Sequence, residues 1–340
     1  MSIRILKFAL AGVAALAVTS TARADSVADF YKGKTVELQI GYSVGGGYDT
    51  YARLVARHIG KHIPGNPTIV PQNMPGAGSL KLANWLYKAA PQDGTVFATI
   101  ARAAPFDPLF GNEKAKFKAD KFNYIGSANN EVSICAAMSG ADIKTFDDLK
   151  SKKLIVGGTG DTADTVQFPK IMNAVLGTKM QIINGYPGGK DVVLAMERGE
   201  VQGRCGWSWS SVKSKNMDWV DGGKMNVIIQ LSTDKHPELP NVPLIMDLAK
   251  SDDDKRLLNL IFARQELGRP YVAPPNVPAE RVEALRAAFM ATMSDPEFLK
   301  EAAEADLEIT PVSGAKVQKL VNDAYMTDPS VVERINKILN

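Results

Sequence analysis

Only two cysteines and three histidines occur in the 340 residues, too few for a disulfide scaffold or a cysteine–histidine metal cluster. Charge of one sign is scarce too: Lys and Arg total 40, Asp and Glu 37, and the formal charge is +3. Long apolar runs are missing after residue 24; no later stretch approaches the ~20 residues that span a bilayer. The 45% hydrophobic and 23% charged content that remains is that of a soluble globular chain, and the length suits about two domains.

The N-terminus has the grammar of a leader. Arg4 and Lys7 precede an apolar run from Phe8 to Val18, and Ala22-Arg23-Ala24 supplies small residues for cleavage. An eleven-residue run is too short for an anchor, so residues 1–24 are expected to direct export to the periplasm and to be removed. Their removal takes away Arg4, Lys7 and Arg23 and no acid, which brings the formal charge to zero. A neutral surface argues against nucleic acid or an anionic membrane as partner. Export also permits a bridge between Cys135 and Cys205; two buried free thiols are the equal alternative, because sequence carries no Cα separation.

The organising stretch is Val36 to Thr50. Apolar residues at 36, 38 and 40 alternate as in a strand, while Tyr51, Leu54, Val55, His58 and Ile59 follow at helical spacing. Gly45, Gly46 and Gly47 lie at the join, with Tyr48, Asp49 and Thr50 opening the helix. Unpartnered N–H groups at a helix start, exposed by glycine, suit a carboxylate; Asp49 is read as the N-cap.

Further strands are expected at 68–73 and 96–101 with a helix at 80–89 between them. The pattern recurs as strand 153–156, a glycine loop at 157–162, helix 163–176, strand 181–184, helix 191–198 and strand 201–206. Asp49 precedes Pro75, and Asp161 precedes Pro187, by the same interval, as if one plan were used twice. Apolar strands at 131–138 and 225–231 would carry the chain between halves. The remainder is mostly amphipathic helix at 253–266, 279–293, 296–305 and 314–324, with a strand near 269–273. The expected fold is α/β, with two parallel or mixed sheets flanked by helices. One lobe spans 25–130 and 232–340, the other 131–231, with a hinge and a cleft between them.

Several motifs compete for chemistry. Gly158-Thr159-Gly160-Asp161-Thr162-Ala163 fits a dinucleotide fingerprint, but the next strand ends without an acid and Asp161 would face the pyrophosphate, so no nicotinamide cofactor is expected. Gly206-Trp207-Ser208-Trp209-Ser210 approaches a nucleophile elbow, leaving a serine hydrolase using Ser208 as an alternative, with His236 as the sole available base. Otherwise Trp207 lines a pocket and Ser208 offers a hydroxyl. His58 and His62 have metal-ligand spacing, but with no acid nearby in sequence they read as a solvated helix face, and no metal is expected. Arg102, just past a strand, would face the same crevice as the glycine loop and could pair with a carboxylate.

Four motifs in order resemble one family: Gly45-Gly46-Gly47-Tyr48-Asp49 with Ala52-Arg53; Asn73-Met74-Pro75-Gly76-Ala77-Gly78; Ala89-Ala90-Pro91-Gln92-Asp93-Gly94; and Arg269-Pro270-Tyr271-Val272-Ala273-Pro274-Pro275 with Pro278-Ala279-Glu280-Arg281. They are similar to those of the Bug receptors, the periplasmic solute-binding proteins of tripartite tricarboxylate transporters. The resemblance implies a two-lobed binding protein that closes on a small carboxylate and delivers it to membrane permease subunits; a monomer without cofactor is expected. A sensor that presents its ligand to a signalling kinase is a further alternative. Carried over by position, the contacts would be Ser43 and Gly45 to Thr50 in one lobe. In the other they would be Thr159, Gly160, Asp161, Thr162, Ala163, Asp164 and Thr165, with Tyr186 and Gly188 nearby. The chain departs from the family in having Ser43-Val44 where a proline is common, and Arg204-Cys205-Gly206-Trp207 where an aromatic–acid pair is common. The second departure lies at the expected pocket wall.

Overall fold

The computed structural model describes residues 27–340, so the expected leader lies outside the described residues. Helices are numbered from the first glycine loop onward. The first sheet contains β1 (Thr35–Ile40), β2 (Thr68–Asn73), β3 (Val96–Thr99), β4 (Asn123–Ser127), β10 (Pro270–Ala273) and β11 (Val312–Ser313). The second contains β5 (Ser133–Met138), β6 (Leu154–Gly158), β7 (Met180–Asn184), β8 (Gly203–Ser208) and β9 (Met225–Leu231). The helices are α1 (Gly47–Ile59), α2 (Leu80–Lys88), α3 (Phe146–Ser151), α4 (Asp164–Leu176), α5 (Gly189–Glu197), α6 (Trp209–Asp221), α7 (Asp252–Ala263), α8 (Ala279–Met293), α9 (Pro296–Glu304), α10 (Gly314–Ala324) and α11 (Pro329–Leu339).

Strand order is β2-β1-β3-β10-β4-β11 in one sheet and β7-β6-β8-β5-β9 in the other. In each, a central strand pairs in parallel with its successor and with the strand after that, and antiparallel strands complete the sheet. The two halves therefore share one plan. Their aspartates are not equivalent, however: Asp49 lies inside α1, whereas Asp161 precedes α4, so the matched interval is not a structural correspondence. The chain enters the second sheet between β4 and β5 and returns between β9 and β10.

Alternation places Val36, Leu38 and Ile40 in one core with Tyr51, Leu54 and Val55 of α1. Leu154 and Val156 pack likewise with Phe168, Ile171 and Met172 of α4. Pro71 interrupts no inner ladder because β2 is an edge strand. Cys135 and Cys205 are register partners on β5 and β8 and are joined as a disulfide.

Three local readings need correction. Gly46, in extended conformation, is the N-cap of α1, and Asp49 is its third helical residue. From there its carboxylate accepts from Gly45 N–H at 2.8 Å, Arg53 Nε at 2.9 Å and Asn73 Nδ2 at 2.9 Å. Second, β8 runs on to Ser208 rather than ending at Gly206, and α6 follows with no intervening loop. Third, the His58–His62 face is not simply solvated: His58 Nε2 lies 2.7 Å from Glu301 Oε2 and His62 Nε2 2.8 Å from Asp295 Oδ2, so both imidazoles tie α1 and the turn after it to α9 and its cap.

The C-terminal helix α11 was not anticipated. It packs on both α4 and α7, and Lys170 Nζ donates to Leu339 O at 2.6 Å.

Candidate functional site

The two sheets turn the carboxyl ends of their parallel strands toward each other, where open α/β sheets bind ligands. Gly46, Gly47 and Tyr48 arrive at the end of β1, Arg102 after β3, Thr159, Ala163, Asp164 and Thr165 after β6, and Ser208 at the end of β8. All line one inner cavity of about 40 Å³, which has room for roughly two or three waters or one carboxylate. The loops are already in contact across the cleft: Gly78 N–H donates to Thr159 O at 3.0 Å, Thr162 Oγ1 to Ala77 O at 2.8 Å, and Ser43 Oγ to Asp191 Oδ2 at 2.6 Å. At Gly47 a Cβ would stand 2.2 Å from Ser211 Oγ and 3.0 Å from Arg269 Nη2, so only glycine lets α6 and this arginine approach so closely.

Three guanidiniums border the cavity. Arg102 is buried; its Nε is 2.8 Å from Asp164 Oδ2, and its Nη2 donates to Ser208 Oγ at 2.6 Å. Burial opposes its charge, but Tyr48 and Asp164 hold its pKa above the ordinary arginine value. Arg269 is also buried, 3.2 Å from Glu131 Oε2, and stacks over Tyr48 and Tyr51 at 4.8 and 5.0 Å. Arg204 differs. Its Nη1 donates to Gly189 O at 3.1 Å, its Nε has no hydrogen-bond partner, and no carboxylate among the described residues pairs with it. Burial, partly offset by Tyr42 and reinforced by Arg269 and Arg102, pulls its pKa down to about 9. A guanidinium gives up its proton reluctantly, so what this environment favours is an added anion.

Ser208 lacks the surroundings of a nucleophile. Its oxygen accepts from Arg102 Nη2 and, at 3.1 Å, from Arg269 Nη1. His236, the candidate base, instead places Nε2 3.2 Å from Glu308 Oε1. No histidine contacts the hydroxyl among the described residues.

Other residues named from sequence are distributed around this centre. Gly45 and Trp207 line an adjoining chamber of about 370 Å³, where the Arg204 guanidinium lies 5.1 Å from the Trp207 ring. Gly160, Asp161, Thr162 and Tyr186 line a larger cleft of about 1060 Å³ that also receives the chain terminus. That cleft is roomier, but the buried guanidiniums converge on the small cavity instead. Ser43, Asp49, Thr50 and Gly188 line none of the three spaces. Ser43 and Asp49 are engaged as described above, and Thr50 Oγ1 donates to Gly46 O and accepts from Lys215 Nζ at 2.7 Å. Sequence reasoning did not select Tyr42, Gly189, Arg204, Ser211 or Arg269, all of which border the inner cavity. An arginine among Gly203, Cys205 and Gly206 on a strand was the available signal for Arg204.

Comparisons with known proteins agree with this architecture. The model of the family described as "Tripartite tricarboxylate transporter family receptor" matches residues 51–337. The "UPF0065 protein in gbd 5'region" of Cupriavidus necator is 23% identical over 320 residues, covering 92% of this chain and 90% of that protein. Among solved structures, the periplasmic binding protein BugD superposes with a TM-score of 0.72 at 17% identity, covering 91% of this chain and 98% of its own. MatC from Rhodopseudomonas palustris with bound malate superposes with a TM-score of 0.69 at 16% identity, covering 90% and 99%. With four motifs, the doubled sheet plan and a family match over most of its length, the chain belongs to the tripartite tricarboxylate transporter receptors, the Bug family of periplasmic solute-binding proteins.

Proposed function

We propose that the protein is a monomeric receptor, exported by residues 1–24, that captures a small organic carboxylate between two lobes and delivers it to the permease subunits of a tripartite transporter. Residues 25–130 with 232–340 form one lobe and 131–231 the other. The observation that carries this reading is the convergence of two helix-start loops, Gly46–Tyr48 and Ala163–Thr165, on one cavity bordered by three guanidiniums. Main-chain N–H groups freed at the two helix starts, with Arg102 and Arg204, are the donors for the carboxylate; no covalent step is needed. A micromolar complex requires only about 8 kcal/mol net, within reach of several charge-assisted hydrogen bonds. The malate held by MatC supports a carboxylate as the class of ligand. The neighbours of Ser208 make binding without turnover the better reading than hydrolysis.

The test is thermal unfolding of the mature protein against a library of small carboxylates at millimolar concentration. A true ligand raises the midpoint in proportion to the logarithm of its concentration. A library in which no acid shifts the midpoint, while amines or sugars do, would contradict the proposal.

A further inference from the structure

Behind the inner cavity the buried network ends in a carboxyl with no task in anion binding. Asp107, just past the helical turn Ala104–Phe106 that follows β3, is 1% exposed. Its Oδ2 has no hydrogen-bond partner, and its Oδ1 accepts only from Gln167 Nε2, at a long 3.4 Å. No lysine, arginine or histidine pairs with it among the described residues. The nearby guanidinium of Arg264 is committed elsewhere: Nη2 lies 3.1 Å from Asp164 Oδ1, and Nη1 donates to Gln167 Oε1 at 2.6 Å. Gln167 thus turns its oxygen to the arginine and its amide nitrogen to the acid.

Two features tie this carboxyl to closure. Gln167 lies on α4 one turn after Asp164, so the helix start that reaches the inner cavity through Asp164 also brings Gln167 onto Asp107. Asp107 and Gln167 both line the cleft of about 1060 Å³, whose other walls come from the loops at 75–77 and 110–114 in one sheet's half and 159–162 and 184–187 in the other's; parting those walls would admit water to Asp107. The groups that face it are Gln167 and Asp164 from α4, Asn112 from its own loop, Arg264 after α7 and Tyr325 after α10. Burial outweighs Arg264 and the two amides and pushes the Asp107 carboxyl well above the usual carboxylate range, with Asp164 adding to the rise. A charged carboxylate with one long hydrogen bond is costly to bury, and the neutral acid is not.

On the receptor reading above, we infer that Asp107 is a proton site linked to closure: as the lobes shut on the carboxylate, one proton from solvent is taken up here, and it is released when they part. Hydrated in the open form, Asp107 has an ordinary value near about 3.9. Between that value and the raised closed-state value, only the closed form holds the proton, so acid favours closure and tightens binding by up to about tenfold per pH unit. Above the closed-state value both forms are ionised and the dependence ends.

Calorimetry of the full mature protein with malate, succinate, adipate and benzoate tests this from about pH 6 to about pH 8.5, where the acids stay ionised, in buffers of different ionisation enthalpy that count the protons. For any acid that binds, uptake approaches one proton at the lower end of the range, and affinity is about tenfold or more greater there than at the upper end. Asp107→Asn, neutral at every pH, removes both effects: uptake falls to near zero, and affinity at the upper end comes within about twofold of the wild type at the lower end. A merely structural aspartate would instead weaken binding at every pH when replaced. Uptake near zero in the wild type would overturn the inference and leave the receptor reading intact, whether or not the variant folds. Uptake that survives Asp107→Asn would do the same, because the proton would then belong to another group such as His236. Failure of every acid to bind would overturn both.

Discussion

Arg102 Nη2 lies 2.6 Å from Ser208 Oγ, and this contact joins the end of β3 in one sheet to the end of β8 in the other. It gives a hydroxyl that resembles a nucleophile in the sequence a different task, as an acceptor shared by two guanidiniums. Ser208→Ala therefore removes a buried acceptor and should destabilise the protein by about 1–3 kcal/mol. An ester panel checks the chemistry: wild type and variant should be equally inactive, and turnover lost on substitution would mark an enzyme.

Asp164 stands between Arg102 Nε at 2.8 Å and Arg264 Nη2 at 3.1 Å. Asp164→Asn leaves two buried guanidiniums without their carboxylate, at an expected cost of about 3–5 kcal/mol. Because the site becomes more positive, added carboxylate should recover more of the lost melting temperature in the variant than it adds to the wild type. Denaturation with and without ligand measures both effects.

The glycine loop allows a contrast between neighbours. A methyl at Gly47 would collide with Ser211 Oγ at 2.2 Å, whereas one at Gly46 would first meet Gly189 N at 3.8 Å. Gly47→Ala should weaken carboxylate binding by about tenfold or more, since small misplacements at a charge-assisted site are costly, while Gly46→Ala stays near wild type. Calorimetry on both variants, with circular dichroism to verify folding, decides the matter.

Acid should loosen the contact of Glu308 with His236 and Lys213. Burial raises the Glu308 pKa, but hydrogen bonds from His236 and Lys213 more than offset it and hold the carboxyl below its usual range. The depressed folded-state pKa means that its stabilisation is complete above the unfolded value near about 4.3 and is lost as pH falls through the folded value. Glu308→Gln should lower stability at pH 7 by about 1 kcal/mol or less, and the difference from wild type should vanish toward pH 3. Melting curves across that range test the sign.

The part of this architecture legible in the sequence is the part with strong periodicity. Val36, Leu38 and Ile40 announce β1, and the spacing of Tyr51, Leu54, Val55 and Ile59 announces α1; the strand at 225–231 and the helices at 279–293 and 314–324 coincide with β9, α8 and α10. The join of β8 to α6 is not legible in this way, because strand passes into helix at Ser208–Trp209 without a turn signal or side-chain cap. Helix α3 is too short to stand out by apolar pattern, although the Thr145–Asp148 capping box is a readable cue; α11 is as long as α10, and Asp328-Pro329 followed by apolar Val331, Ile335 and Leu339 at helical spacing is a cue that sequence reasoning did not use. Within the candidate site, residues announced by glycine are easier to see than residues announced by charge. Arg102, Arg204 and Arg269 lie on or beside strands, and whether each guanidinium is paired depends on carboxylates that arrive from elsewhere in the chain: Asp164 meets Arg102 and Glu131 meets Arg269, while none among the described residues meets Arg204.

The central claim is that a carboxylate enters the small cavity between the two sheets rather than the larger cleft beside it. A crystal structure of the protein with the tightest-binding acid from the thermal screen tests this directly. The account predicts carboxylate density within hydrogen-bonding distance of Arg204 and the Gly46–Gly47 main chain. Density confined to the cleft of Gly160, Asp161 and Tyr186, with Arg204 untouched, would contradict it.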